Sequence, residues 1–139
     1  YILNPSQYRT QPRCKFFDNC GGCKQQDLIY KQQINYKQQQ VEEIFLYKAS
    51  LSDFTIADIL PSEKIFYYRN KMEFSFSDKK WLTKDELNDQ TKISKDFALG
   101  LHVPKVYDKI LDIDECFLQS EVSNDILNFT RTFFRGRKL

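Results

Sequence analysis

Two rhythms of apolar and polar residues divide the chain. From about residue 27 to 47, Tyr30, Ile34, Val41, Ile44 and Phe45 fall on one stripe at helical spacing, interrupted by Lys37 and Gln38. Asp27 has the side chain of an N-cap. Gln38, Gln39 and Gln40 sit inside this periodic segment, and glutamine is a good helix former, so the run belongs to the helix. The period then shortens to two. Residues 54–60 are rich in β-branched side chains and are closed by Pro61, as a strand would be. From 67 to 77, Tyr68, Asn70, Met72, Phe74 and Phe76 alternate with Arg69, Lys71, Glu73 and Ser75. Asn70 is the polar member of the apolar face, so it is expected to organise a neighbouring loop. Residues 78–96 are charged and aperiodic, an exposed connection or decorated hairpin that Trp81 packs down.

Phe97, Leu99, Leu101 and Val103 alternate with Ala98, Gly100 and His102 in a further strand. A short strand over 109–113 runs directly into Asp114, Glu115 and Cys116. The clearest helix comes last, with Ser120 or Ser123 as its cap and Val122, Ile126, Leu127, Phe129, Phe133 and Phe134 as its apolar stripe. Gly136 supplies its stop. This order predicts an α+β fold, an antiparallel sheet of about four strands with helices packed on one side.

Composition changes the picture only slightly. At 139 residues the chain is one domain or a piece of a larger protein, and it opens on Tyr1 rather than Met, as an excised or processed segment does. Residues 1–13, rich in proline, glutamine and serine, read as a connector from an upstream domain. With 41% hydrophobic and 15% aromatic residues it can build a core, which argues against disorder. A formal net charge of +2 does not by itself announce a nucleic-acid partner. Arg9, Arg13, Lys15 and Lys24 near the start, with Arg131, Arg135, Arg137 and Lys138 at the end, would form a modest basic surface if a metal site drew them together. A solvated helix end explains the terminal group equally well. No apolar run approaches the ~20 residues that span a bilayer.

The candidate chemistry lies in cysteine. Cys14, Cys20 and Cys23 form a C-x5-C-G-G-C motif, and the one other cysteine is Cys116. Three clustered thiols and a distant fourth suit a four-thiolate site, for an iron–sulfur cluster or a structural zinc. The spacing leans towards iron, because only Cys20 and Cys23 make the close pair common at zinc. Gly21 and Gly22 are expected to adopt unusual backbone angles and to bring amides near the metal–sulfur unit. Two disulfides, or reduced inert thiols, are the alternatives. A thiolate cluster and no visible secretory signal point to a reducing, cytoplasmic compartment. The acidic positions Asp85, Glu86 and Asp89 lack the pattern of a calcium loop. The single histidine, His102, lies opposite the apolar face of its strand, as a surface or hydrogen-bonded residue would.

The cysteine motif is followed by Gln26, Tyr30, Gln33, Lys37 and Val41, then by Tyr68-Arg69-Asn70-Lys71, Leu99-Gly100-Leu101-His102 and Ile110-Leu111-Asp112-Ile113-Asp114-Glu115-Cys116. In this order the series resembles the central region of the RNA uracil-carbon-5 methyltransferases, over nearly the whole chain from Cys14 to about Phe134. These enzymes use S-adenosylmethionine to methylate uridine in ribosomal or transfer RNA. The resemblance implies that Cys14, Cys20, Cys23 and Cys116 bind a [4Fe–4S] cluster. It also implies that the segment helps hold structured RNA, between an oligonucleotide-binding barrel upstream and a methyltransferase domain downstream, neither of which is seen here.

In that family a cysteine thiolate adds to carbon 6 of the uracil, carbon 5 takes the methyl group, and a base removes the carbon-5 proton. If all four cysteines ligate metal, none is left as nucleophile, so no catalytic residue is assigned. No strand with a Gly-rich nucleotide loop is present, so S-adenosylmethionine is expected to bind elsewhere in the parent enzyme. Arg69 and Lys71 share one exposed strand face and are the candidates for phosphate contacts. No motif marks a protein partner. Two other functions fit the thiols: a zinc-stabilised nucleic-acid-binding module, and an electron carrier of ferredoxin type, whose usual cysteine runs are tighter.

Overall fold

The computed structural model describes residues 3–89 and 93–137. They divide into two compact units: residues 1–12 with 25–65, and residues 13–24 with 66–139. Residues 90–92 of the charged connection and Lys138 of the terminal basic group lie outside the described residues.

The first unit is built on helix α1, Tyr30–Glu43, which continues into a turn of π-helix at Ile44–Lys48. The glutamine run is helical, with Gln38 donating to Glu42 and Gln39 to Glu43 at i, i+4 spacing. Asp27 does not cap the helix. The N-cap is Ile29, without a side-chain bond, while Asp27 pairs with Arg9 and its carbonyl accepts from the Thr10 amide. That pairing, with an isolated bridge between Arg9 and Leu28, engages the leading segment within this unit. The apolar stripe of α1 buries no residue fully, and Val41, Ile44 and Phe45 remain exposed. Residues 54–60, expected as a strand, have no ladder partner; Phe54 instead stacks at a tilt on Phe45, 5.4 Å between centroids.

The second unit holds a four-stranded sheet in the order β1-β3-β4-β2, from β1 (Ser75–Ser77), β2 (Lys80–Trp81), β3 (Ala98–Val103) and β4 (Val106–Asp112). The fold class is α+β as expected, but the sheet is mixed rather than antiparallel. β1 and β4 each run antiparallel to β3, whereas β2 pairs parallel with β4 through Lys80–Ile110 and Trp81–Leu111. The chain keeps its direction between Ser77 and Lys80, so β2 must match β4. The expected strand over 67–77 shrinks to β1, because residues 67–69 leave the sheet to run beside 117–119: the Tyr67 and Arg69 amides donate to the Phe117 and Leu118 carbonyls. Asn70 is exposed, outside the core.

The connection after β2 contains a second helix, α2 (Lys84–Asn88). Thr83 caps it in a reciprocal capping box with Glu86, a T-x-x-E pattern hidden among charges. Trp81 packs against the core as expected. Gly100, opposite Asp112 in the sheet, has no room for a Cβ, which would collide with the Leu111 carbonyl oxygen.

The last helix, α3 (Glu121–Phe134), begins at Ser120, whose Oγ accepts from the Ser123 amide; Gly136 follows it at φ +86°. Its inward face differs from the expected apolar stripe. Asn124, Leu127 and Arg131 are buried, while Val122, Ile126 and Phe129 are 67%, 61% and 72% exposed. Phe134 does reach the sheet, edge-on to Phe76 at 5.2 Å. The polar residues turn inward because the end of β4 offers carbonyl and carboxylate partners there. Arg131 donates to the Asp112 carboxylate at 3.1 Å and to the carbonyls of Leu99 and Ile113. Among the described residues no helix is long and apolar enough to cross a membrane.

Candidate metal centre

The core of the second unit gathers Phe16, Leu111, Ile113, Cys116 and Leu118, with Cys14, Cys20 and Cys23 packed against it. Phe16 anchors the cysteine loop. Its ring is buried, and its carbonyl accepts from the Asn19 and Cys20 amides, which folds the intervening residues back on themselves. Asp18 takes the left-handed conformation this turn needs, φ 71°, which an aspartate tolerates. Gly21 and Gly22 do not show the unusual backbone angles expected of them; among the described glycines only Gly136 has positive φ. A Cβ at either position would make ordinary van der Waals contacts. A Cβ on Gly21 would stand 3.4 Å from the His102 carbonyl oxygen, and one on Gly22 would stand 3.4 Å from Cys20 Sγ. The Gly22 amide donates to that sulfur at 3.3 Å.

Cys20 and Cys14 each lie within electrostatic reach of the sulfurs of Cys23 and Cys116, and none of the four is in a disulfide. Burial pushes the Cys20 thiol up to about 11, against the pull of the Gly22 amide, and the sulfurs of Cys23, Cys14 and Cys116 raise it further. Burial also raises Cys14, the Phe16 amide opposes it, and Cys23 and Cys116 add to the rise. A metal bound here would have to displace their protons, and four sulfur donors suit a soft, thiolate-bound metal or cluster. Among the described residues, however, no group of three or more His, Cys, Asp or Glu side chains stands in ligating geometry.

Two ties join the flanks of Cys14 to those of Cys116. The Arg13 guanidinium lies 4.5 Å from the Phe117 ring centroid and 5.2 Å from that of Phe66, and it donates to the Tyr67 hydroxyl at 3.1 Å. Lys15 Nζ meets the Asp114 carboxylate at 2.6 Å. Inside the fold, Asn124 holds both backbone polar groups of Cys116. Sequence reasoning missed Arg13 and Asn124 as supports of this centre. Arg13 had a signal in its place beside Cys14; Asn124 had none, since a polar helix position reads as solvent-facing.

Arg69 and Lys71 both line a cleft of about 780 Å³, together with Gly21, Gly22, Glu73, His102 and Lys105. Lys71 is exposed and pairs with Glu73 at 2.9 Å. The His102 ring stands 3.3 Å from Ser75 Oγ and is exposed, which agrees with its expected surface role. Arg131 and Arg135 are drawn onto Asp112, so the terminal basic group is partly spent on structure.

No protein-family model matches the chain. It is 44% identical over 128 residues, 92% of its length, to an uncharacterized RNA methyltransferase of Bacteroides thetaiotaomicron, of which it covers 28%. It is 40% identical over 138 residues to an uncharacterized RNA methyltransferase of Porphyromonas gingivalis, covering 95% of the chain and 29% of that protein. Over 99% of its length it is 28% identical to the tRNA (uracil(54)-C(5))-methyltransferase of Pyrococcus abyssi, of which it covers 28%. The chain thus spans less than a third of the length of these relatives, and over that segment it is similar to RNA methyltransferases, one of them named for uracil-carbon-5 methylation of tRNA.

Proposed function

We propose that this chain is the cluster-binding segment of an S-adenosylmethionine-dependent RNA uracil-carbon-5 methyltransferase, and that it helps position the RNA. The observation that carries the reading is the gathering of four thiols, none of them disulfide-bonded, on one buried cluster that joins the cysteine loop, residues 14–23, to the turn that follows β4. Cys14, Cys20, Cys23 and Cys116 would hold the cluster. When bound, a [4Fe–4S] cluster supplies a covalent cross-link between the cysteine loop and the Cys116 turn. Methyl transfer from a sulfonium requires no electron, so a structural role suffices. With all four thiols as ligands, the nucleophile for uracil carbon 6 has to come from another part of the enzyme.

Arg69 and Lys71 would meet RNA phosphates in the cleft beside Gly21 and Gly22, which puts the RNA contacts next to the loop that the cluster would stiffen. The test of the metal reading is iron, sulfide and zinc content, with an absorption spectrum, on protein purified without oxygen. About four irons and four sulfides per chain, lost on Cys116→Ser, are expected. One zinc and no iron would replace the cluster by a zinc-stabilised module, and no metal in a folded chain would remove the centre altogether.

A further inference from the structure

We infer that Asn124 is the positioning residue for Cys116, the side chain that sets where the distant thiol stands relative to the cysteine loop. This rests on the proposed metal reading. Cys116 lies beyond the end of β4, in a stretch with no ladder or helix bonds to hold it. Backbone amides of Tyr67 and Arg69 hold the neighbouring Phe117 and Leu118 carbonyls, but the amide and carbonyl of Cys116 itself are held by a side chain of α3. Asn124 Oδ1 accepts from the Cys116 amide at 2.9 Å, and Asn124 Nδ2 donates to the Cys116 carbonyl at 3.2 Å. Both main-chain groups of the one residue are thus clamped by a single amide. The main-chain amide and carbonyl of Cys116 fix which end of the Asn124 amide carries the oxygen, and Gln119 Nε2 donates to that same Oδ1 at 2.8 Å.

Cys116, Gln119 and Asn124 are 9%, 3% and 8% exposed, so water does not compete for these bonds. Further along the helix, Asn128 donates to the Asp114 carbonyl at 2.9 Å and Arg131 to that of Ile113. The residues at i, i+4 and i+7 therefore grip three carbonyls of the strand end leading to the thiol. Only the first grips the cysteine itself. An aspartate there would lack the donor and a leucine both groups, whereas an asparagine matches the acceptor and donor of a peptide unit.

The test is titration of the intact, metal-free chain with Co²⁺ alone, read by thiolate-to-cobalt absorption, for the unaltered protein, Asn124→Ala, Gln119→Leu and Leu127→Ala. Leu127 is buried on the same helix face and serves as a control for lost packing. Each variant is melted first to establish that it folds. Asn124→Ala is expected to bind Co²⁺ about 10- to 100-fold more weakly, the usual effect of losing a group that orients a ligand. The expected loss for Gln119→Leu is smaller, with Leu127→Ala close to the unaltered protein. If Asn124→Ala does not fold, Gln119→Leu carries the test, because it frees the amide while leaving Asn124 in place.

Equal affinity in the unaltered protein and in the folded Asn124 or Gln119 variant would overturn the inference and leave the metal reading intact. An equal loss in Leu127→Ala would overturn it too, by showing that general packing is responsible. Saturable binding absent from the unaltered protein would overturn the metal reading, and this inference with it.

Discussion

Arg131 shows most directly how single residues shape this molecule. Its guanidinium is 7% exposed, and it joins the Asp112 carboxylate to the carbonyls of Leu99 and Ile113, so it ties β3, β4 and α3 at one point. Replacing it with methionine preserves bulk but leaves Asp112 with only the more distant Arg135, at 3.5 Å, as a charged partner. Arg131→Met is expected to cost about 3 kcal/mol, measured as a lower urea midpoint. Gly100 is a steric counterpart. A Cβ there meets the Leu111 carbonyl oxygen, an atom that cannot rotate away, so Gly100→Ala is expected to destabilise by at least ~3 kcal/mol in the same assay. Neither role was legible in the sequence. Gly100 reads there as one polar-face position in an alternating strand, and Arg131 as part of a solvated basic terminus, because the partners of both are distant in the chain.

Among the elements, the β3–β4 turn carries a correctable strain. Pro104 and Lys105 make a two-residue connection, and Lys105 has φ 66°, the left-handed geometry that the third position of a type II turn requires. Lys105→Gly is expected to stabilise the chain by about 1 kcal/mol, seen as a higher thermal midpoint. Helix α2 sets a pH dependence. Burial opposes the Glu86 charge, but the Lys80 ammonium and the Thr83 bonds outweigh it and hold the carboxyl below its ordinary 4.5. A depressed folded value means that the contribution is complete above pH 4.5 and is lost as pH falls through the folded value. Acidification below that point should lower the urea midpoint more in the unaltered protein than in Lys80→Met. The capping box behind this was present as Thr83-Lys84-Asp85-Glu86, yet five helical residues are too few for periodicity to reveal.

At the scale of the whole chain, the expected RNA contacts fall within the second unit. In the cleft beside the cysteine loop, Arg69 and Lys71 bring two positive charges to one place. Removing both by alanine is expected to weaken single-stranded RNA binding and to reduce the slope of log affinity against log salt by about 1.4. An unchanged slope would take this cleft out of the RNA path.

The sequence by itself determined the α+β class, both long helices, a serine cap at Ser120 or Ser123, the strands through Leu101 and Ile110, and the identity of the four thiols. Each of these rests on local periodicity, a short-range hydrogen bond or the chemistry of a residue type. Tertiary structure alone decided that β2 runs parallel to β4, that residues 67–69 leave the sheet for 117–119, and that α3 turns Asn124 and Arg131 inward while Val122 and Phe129 face out. Those outcomes depend on where unpaired carbonyls and a buried carboxylate lie once the chain has folded. A polar side chain is buried when such partners await it, and its own position in the sequence does not say whether they do.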